Sequence, residues 1–494
     1  MRHNPIPATI LLFGSTGDLS KRKLIPSIFH LFQEGSLTEQ FVFIPIGRKD
    51  ISNDEYKEIV KSSIHAHDKI TSYDKLDEFL SRVYYQRVDN DNLDDFIRLN
   101  ETVRKHESSY QTEGNRLFYF ALPPSTFSIV SDRLRDSKIT ETHGFKRLII
   151  EKPFGKDLAS ATELSQAIST TFDESEIYRI DHYLGKEMVQ NIEVIRFSNS
   201  MFEPLWNNHY ISNVQITSSE SLGVLDRGNY YDQSGVVRDM FQNHMLQMVS
   251  LLAMEPPSTL SSEDIRLEKV KVLKSIRRYK PEEIKSNFIR GQYDEGTIHN
   301  EQVSAYRDEK NVADDSNTPT FIAARLYIDN FRWAGVPFYV RTGKRMKDKR
   351  TQIVVEFKEV PRNLYHMDDT HHELAKNLLV INIQPDESIS IHLNVKNDSR
   401  LNDTKTVNLS YTVETAEEVA NVDAYENLIY DCLNGDSTNF THLDELMLAW
   451  NIVDPVINTW ETDIAPFPNY RSGSLGPVKS QLLVQRDGYK WWDV

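Results

Sequence analysis

At 494 residues the chain is too long for one ordinary core, so two domains are expected, and 39% apolar with 26% charged residues fits a globular protein in water. A net charge of −16, from 57 Lys and Arg against 73 Asp and Glu, argues against a general nucleic-acid or membrane-surface binder, and no apolar run approaches the roughly 20 residues of a membrane helix. One cysteine, Cys432, excludes an intrachain disulfide framework and a cysteine zinc site; with no signal-peptide core in the N-terminal residues, the cytoplasm is the expected compartment.

The first predicted element is a buried strand over 8–13, an apolar run closed by glycine. Gly14-Ser15-Thr16-Gly17 follows and leads into an amphipathic pattern that runs through Leu31 and Phe32. Strand, glycine turn and helix is the setting of a dinucleotide-binding loop, where glycines let backbone N–H groups approach a pyrophosphate at the helix start. Only Gly14 and Gly17 of the usual fingerprint are present, so an ordinary turn between strand and helix fits the spacing too. A second strand over 41–47 ends in Arg48-Lys49, where loops selective for NAD carry a carboxylate. An arginine at that tip accommodates the 2′-phosphate of NADP, while Asp50 beside it leaves NAD use open.

Strands over 116–122 and 147–151 continue the alternation with helical stretches, which indicates a doubly wound parallel sheet. The second of them ends in Glu151-Lys152-Pro153-Phe154-Gly155, at the ligand-binding edge of such sheets, and the proline holds Lys152 extended. Arg179-Ile180-Asp181-His182-Tyr183-Leu184-Gly185-Lys186-Glu187 then packs a carboxylate, an imidazole, a phenol and an ammonium into six residues. If that segment opens a helix, His182, Tyr183 and Lys186 share one turn, a set of donors suited to a phosphate monoester. A solvated helix N-terminus is the plain alternative.

Beyond about residue 205 the texture changes to longer alternating strands, over 210–219, 321–328, 351–360, 377–383, 389–395 and 406–413. Short turns between several of them favour a mostly antiparallel sheet with helices on one face. Arg238-Asp239-Met240-Phe241-Gln242-Asn243-His244 leads into a Met- and Leu-rich helix through Met254. A histidine there is often a satisfied core residue, but Asp239 and His244 can also face one cleft. The expected fold class is α/β: a Rossmann-like dinucleotide-binding domain over 1–181, then a larger α+β domain over 182–494 for substrate binding and oligomerisation. In an acidic chain, an anionic substrate needs a local basic pocket, which singles out Lys186 and the 341–349 segment.

Taken together, these segments resemble the signature segments of the glucose-6-phosphate dehydrogenase family. The stretches 14–24, 151–155, 179–187, Tyr230-Tyr231-Asp232, 238–244 and Arg341-Thr342-Gly343-Lys344 stand in the family's order and spacing, and the similarity continues through 377–387 to 435–440. The resemblance implies oxidation of D-glucose 6-phosphate to 6-phospho-D-glucono-1,5-lactone with hydride transfer to NADP, the first step of the oxidative pentose phosphate pathway. It implies His244 as the general base for the C1 hydroxyl and Asp181 as the carboxylate that orients it. His182, Tyr183, Lys186 and Lys349 would hold the 6-phosphate; Lys152, Glu220, Asp239 and Lys344 would hold the sugar. Gly14, Thr16, Gly17 and Arg48 match cofactor contacts, with Lys152 beside them.

Such chemistry needs an organic cofactor and a base, and no metal. The resemblance also implies a homodimer built through the antiparallel-sheet domain, with pairing into tetramers open. Asn382 stands where family members often carry arginine, so no second, structural NADP site is expected; Ser15 and Ser20 replace residues that are frequently glycine or alanine. Two other readings compete: a related oxidoreductase for another aldose 6-phosphate or for NAD, and a catalytically silent relative. The presence of Asp181, Lys186 and His244 together weighs against the silent relative.

Overall fold

Apolar runs closed by glycine turns alternate with amphipathic helices along the first 180 residues, and in the computed structural model they form a parallel sheet. The described residues are 6–493 except 68–69, 71, 363, 365–373, 398–403, 414–423 and 464. The chain folds as two compact units: Met1–Gly185 with Thr259–Arg266 and Ala416–Met447, and Lys186–Ser258 with Leu267–Thr415 and Leu448–Val494.

The first unit carries β1 (Ile6–Phe13), β2 (Leu37–Gly47), β3 (Gln86–Arg87), β4 (Arg116–Phe120), β5 (Lys146–Ile150) and β6 (Ile177–Ile180). They lie in the spatial order β3-β2-β1-β4-β5-β6 and every pair is parallel. This is the doubly wound arrangement, with its switch point between β1 and β4, where ligands bind beyond the carboxyl ends of the strands. A short strand from far along the chain, Phe440–Thr441, adds antiparallel to β6. Two strands escape the sequence pattern. β3 is only two residues long, and β6 places Arg179 among its apolar residues, buried and held bidentately by Glu174 at 2.5 and 2.8 Å.

The second unit carries β7 (Ile211–Ser219), β8 (Phe288–Gly291), β9 (Tyr293–Ile298), β10 (Glu301–Val303), β11 (Phe321–Tyr327), β12 (Pro337–Gly343), β13 (Arg350–Phe357), β14 (Leu378–Gln384), β15 (Ser388–Lys396) and β16 (Thr404–Thr412). Eight of these form one sheet in the order β16-β15-β14-β13-β7-β12-β11-β8, while β9 and β10 join Tyr470–Ser472 in a smaller one. Among the described residues of the large sheet only β7 and β12 are parallel. Its central strands are buried on both faces, as the continuous burial of β12 and β13 shows. At the β15–β16 end the pattern becomes two-sided: Ile389, Ile391 and Leu393 face the same way as their partners Tyr411, Leu409 and Val407. Leu393, Leu409 and Tyr411 are exposed.

The helix Leu246–Ala253 is anchored at its C-terminal end. Its last carbonyls have no intrahelical donor. The Trp206 indole donates to the Leu252 carbonyl at 2.7 Å and the Trp333 indole to that of Ala253 at 2.8 Å. Arg196 donates to Leu251 at 2.9 Å and to Met254 at 2.7 Å. Among the described residues no helix is long and apolar enough to cross a membrane.

The first unit's core centres on Phe79, whose ring meets Phe29, Phe32, Phe41 and Phe43 at centroid distances of 5.4, 5.6, 6.1 and 6.2 Å. Phe79→Ala is expected to cost about 3–5 kcal/mol in urea-induced unfolding of that unit. A loss below about 1 kcal/mol would show that the ring cluster is not its packing centre.

Candidate active site

In the first unit the chain leaves β1 at the switch point through Gly14. Its φ is +80°, and a Cβ there would lie 2.1 Å from the Ala121 carbonyl oxygen, so only glycine fits. The Gly17 N–H and the Ser20 hydroxyl both donate to the Gly14 carbonyl, each at 3.0 Å, which closes the turn. Within the turn Thr16 is half-buried and Gly17 is exposed. The following segment Ser20–Leu24 winds as a π turn before the regular helix Ile25–Gln33, a detail that no sequence pattern announces.

Arg48 is exposed just past the end of β2. Two tyrosines without a motif of their own frame this region. Tyr56 donates to the Ser15 carbonyl at 3.0 Å, Tyr85 to the Lys49 carbonyl at 2.7 Å, and their rings stack 4.7 Å apart. The glycine turn and the strand tip that carries Arg48 are thereby tied to one aromatic pair.

At the end of β5, Lys152 is half-buried and its bond to Pro153 is cis. The Tyr119 hydroxyl, from the neighbouring strand β4, donates to Glu151 at 2.6 Å, and burial pushes the Glu151 carboxyl up to about 7. Beyond β6 the sequence expectation is corrected. His182 and Tyr183 do not share a helical turn with Lys186, because residues 182–185 form turns and the helix begins only at Glu187, with Lys186 as its N-cap. Asp181, buried at 2% exposure, accepts from the Tyr183 N–H at 3.0 Å at the start of these turns. The His182 and Tyr183 rings meet edge to face at 4.9 Å.

The second unit holds Lys186, Glu220, Asp239, His244, Lys344 and Lys349. Lys186 donates to the Gln384 side-chain oxygen at 2.8 Å, a partner that no sequence motif singles out. Glu220 and Lys344 follow the two parallel strands β7 and β12 and form an ion pair. Lys349 is exposed beside them, immediately before β13, whose first residue pairs with the last of β7. Asp239 and His244 sit on the π-helical segment Val237–Met245 and are 9% and 0% exposed. The break that starts this segment is Gly235, at φ +63°.

The second unit thus contributes residue types that a proton abstraction from a polyhydroxylated anion requires: an imidazole, carboxylates and ammonium groups.

Two family profiles cover most of the chain. One described as "Glucose-6-phosphate dehydrogenase, NAD binding domain" matches residues 11–191, and one described as "Glucose-6-phosphate dehydrogenase, C-terminal domain" matches residues 193–492. The chain is 51% identical to the glucose-6-phosphate 1-dehydrogenase of Bacillus subtilis (strain 168), over 100% of both chains. Among solved structures it is similar to a glucose-6-phosphate dehydrogenase in complex with its substrate glucose 6-phosphate, at 36% identity and a TM-score of 0.89 over 99% of each chain. It is also similar to the glucose-6-phosphate 1-dehydrogenase from Mycobacterium avium, at 30% identity and a TM-score of 0.82 over 99% of each chain.

The raised Glu151 carboxyl gives a pH test. An acid whose folded-state pKa exceeds its unfolded value of about 4.3 binds its proton more tightly when folded, so stability falls as pH rises from there to about 7. Glu151→Gln keeps an acceptor for Tyr119 and has no charge to bury. Its melting temperature relative to wild type is expected to improve between pH 5 and pH 8; a difference independent of pH would remove Glu151 as the source.

Proposed function

The chain belongs to the glucose-6-phosphate dehydrogenase family, and we propose that it oxidises D-glucose 6-phosphate to 6-phospho-D-glucono-1,5-lactone with hydride transfer to NADP, the first step of the oxidative pentose phosphate pathway. The observation that carries this reading is the full-length identity of 51%, in a chain that has every residue the chemistry requires. The nicotinamide supplies the hydride acceptor.

His244 takes the C1 hydroxyl proton as the C1–H bond gives up its hydride and the C1–O bond becomes a carbonyl. Asp181 orients that imidazole and stabilises its charged form. Lys186, His182, Tyr183 and Lys349 hold the 6-phosphate, which supplies binding energy far from the reacting carbon. Lys152, Glu220, Asp239 and Lys344 hold the sugar. The Glu220–Lys344 pair supports this assignment, since an ion pair presents both an acceptor and a donor to neighbouring hydroxyls.

For the cofactor, the glycine turn that follows β1 at the switch point of the parallel sheet supports a dinucleotide site there, with Gly17 exposed. Thr16, Gly17 and Lys152 belong to that site. Arg48, exposed at the strand tip, is the residue assigned to the 2′-phosphate, and its presence favours NADP over NAD. The apolar face of β15 and β16 favours a homodimer, since three of its large side chains lie exposed in one stripe. The reaction takes place in the cytoplasm.

His244→Asn is expected to leave the fold and substrate binding intact while kcat falls by roughly 10²–10⁴. Near-normal turnover, followed at 340 nm, would take His244 out of the mechanism. Arg48→Ala should raise KM for NADP while leaving NAD almost unaffected, cutting discrimination by roughly ten- to a hundredfold. Equal weakening of both cofactors would leave Arg48 a structural role only. Leu409→Lys places a charge in the exposed stripe and is expected to shift the light-scattering mass toward a monomer; an unchanged mass would put the dimer contact elsewhere.

A further inference from the structure

We propose that a buried column of tyrosines in the second unit acts as a positioning element for Lys344; the inference rests on the assignment of Lys344 as a sugar contact. Tyr231, Tyr306, Tyr293 and Tyr470 are all buried and pack edge to face in succession, at centroid distances of 6.2, 5.5 and 6.4 Å. Both ends of the column touch Lys344. The Lys344 Nζ lies 5.1 Å from the centre of the Tyr231 ring while its charge pairs with Glu220. At the other end the Tyr470 hydroxyl donates to the Lys344 backbone carbonyl at 2.7 Å.

The hydrogen bonds between these points run in one direction. The Tyr293 N–H donates to the Thr320 hydroxyl at 3.1 Å. Tyr470 has spent its proton on the Lys344 carbonyl, so Thr320 donates to Tyr470 across their 2.9 Å contact. The Lys344 N–H in turn donates to the Thr320 carbonyl at 3.0 Å. On the next residue, Arg345 bonds to Glu309 at 3.0 Å, and Glu309 accepts from the Tyr293 hydroxyl at 3.0 Å. The peptide after β12 is therefore held from both sides, and the ammonium is confined between a carboxylate and an aromatic face. The Tyr231 hydroxyl has no hydrogen-bond partner among the described residues, so its ring is what serves Lys344.

The test is a set of steady-state measurements on the full-length enzyme with glucose 6-phosphate and NADP. Lys344→Ala is expected to raise KM for the sugar phosphate. Tyr231→Phe keeps the ring and should keep the KM. Tyr231→Leu removes the aromatic face and should raise KM for glucose 6-phosphate about three- to tenfold, with KM for NADP unchanged. In the Lys344→Ala background the same change should add little, because the group it positions is gone. Tyr470→Phe, which preserves packing, should raise KM about two- to fivefold in the wild-type background alone, and it decides the matter if Tyr231→Leu does not fold. Equal losses in both backgrounds, or a wild-type KM for Tyr231→Leu and Tyr470→Phe, would overturn the positioning role. An unaltered KM for Lys344→Ala would instead overturn the assignment on which it rests.

Discussion

The position of His244 is decided some ten residues away, where the helix that follows it ends. Four carbonyls there, from Leu251 to Met254, lack helical partners and lie in a buried region, where each unsatisfied acceptor costs about 1–3 kcal/mol. Arg196, Trp206 and Trp333 supply the donors. Arg196 is a costly choice, since burial lowers its pKa to about 10, but a guanidinium at a helix C-terminus meets the negative end of the dipole and stays charged at neutral pH. With the far end fixed by three large side chains and the near end broken at Gly235, the intervening segment has little freedom to shift along its axis. That segment carries both Asp239 and His244.

A geometric reason links the large sheet to the Glu220–Lys344 pair. In an antiparallel neighbourhood, consecutive strands end at opposite edges of the sheet, and the residues that follow them are far apart. β7 and β12 run the same way, so Glu220 and Lys344 emerge side by side, one residue past Ser219 and Gly343, which are register partners. The parallel pairing of β7 with β12 in a mostly antiparallel sheet is what makes this ion pair possible.

The glycine turn, the run of parallel strands and the antiparallel texture of the later chain were legible in the sequence because each rests on local periodicity or on a backbone conformation that few residues adopt. Gly14 is the clearest case, since its φ and the closeness of Ala121 both require a glycine. Other features were opaque because they depend on contacts distant in sequence. Tyr56 and Tyr85 acquire their role only when the turn after β1 and the tip of β2 come together. Arg179 reads as a surface charge until Glu174 folds against it. Whether the segment after Asp181 opens a helix was not legible either: residues 182–185 form turns, with the Tyr183 N–H bonded to the Asp181 carboxylate, and the helix starts only at Glu187.

The return of Ala416–Met447 to the first unit has a consequence for how the protein is made. On one face of its sheet, Leu428, Ile429, Cys432 and Leu433 belong to the same apolar cluster as the first strand and helix, and Phe440–Thr441 occupies the outer edge of β6. At about 5–20 residues per second, a ribosome needs roughly 13–50 s to travel from the end of β6 to that edge strand. During that interval the nascent unit has an uncovered apolar face and an unpaired strand edge, the two features that invite wrong partners. The N-terminal unit is begun first and finished almost last, so its folding in the cell is timed by the synthesis of the unit that interrupts it.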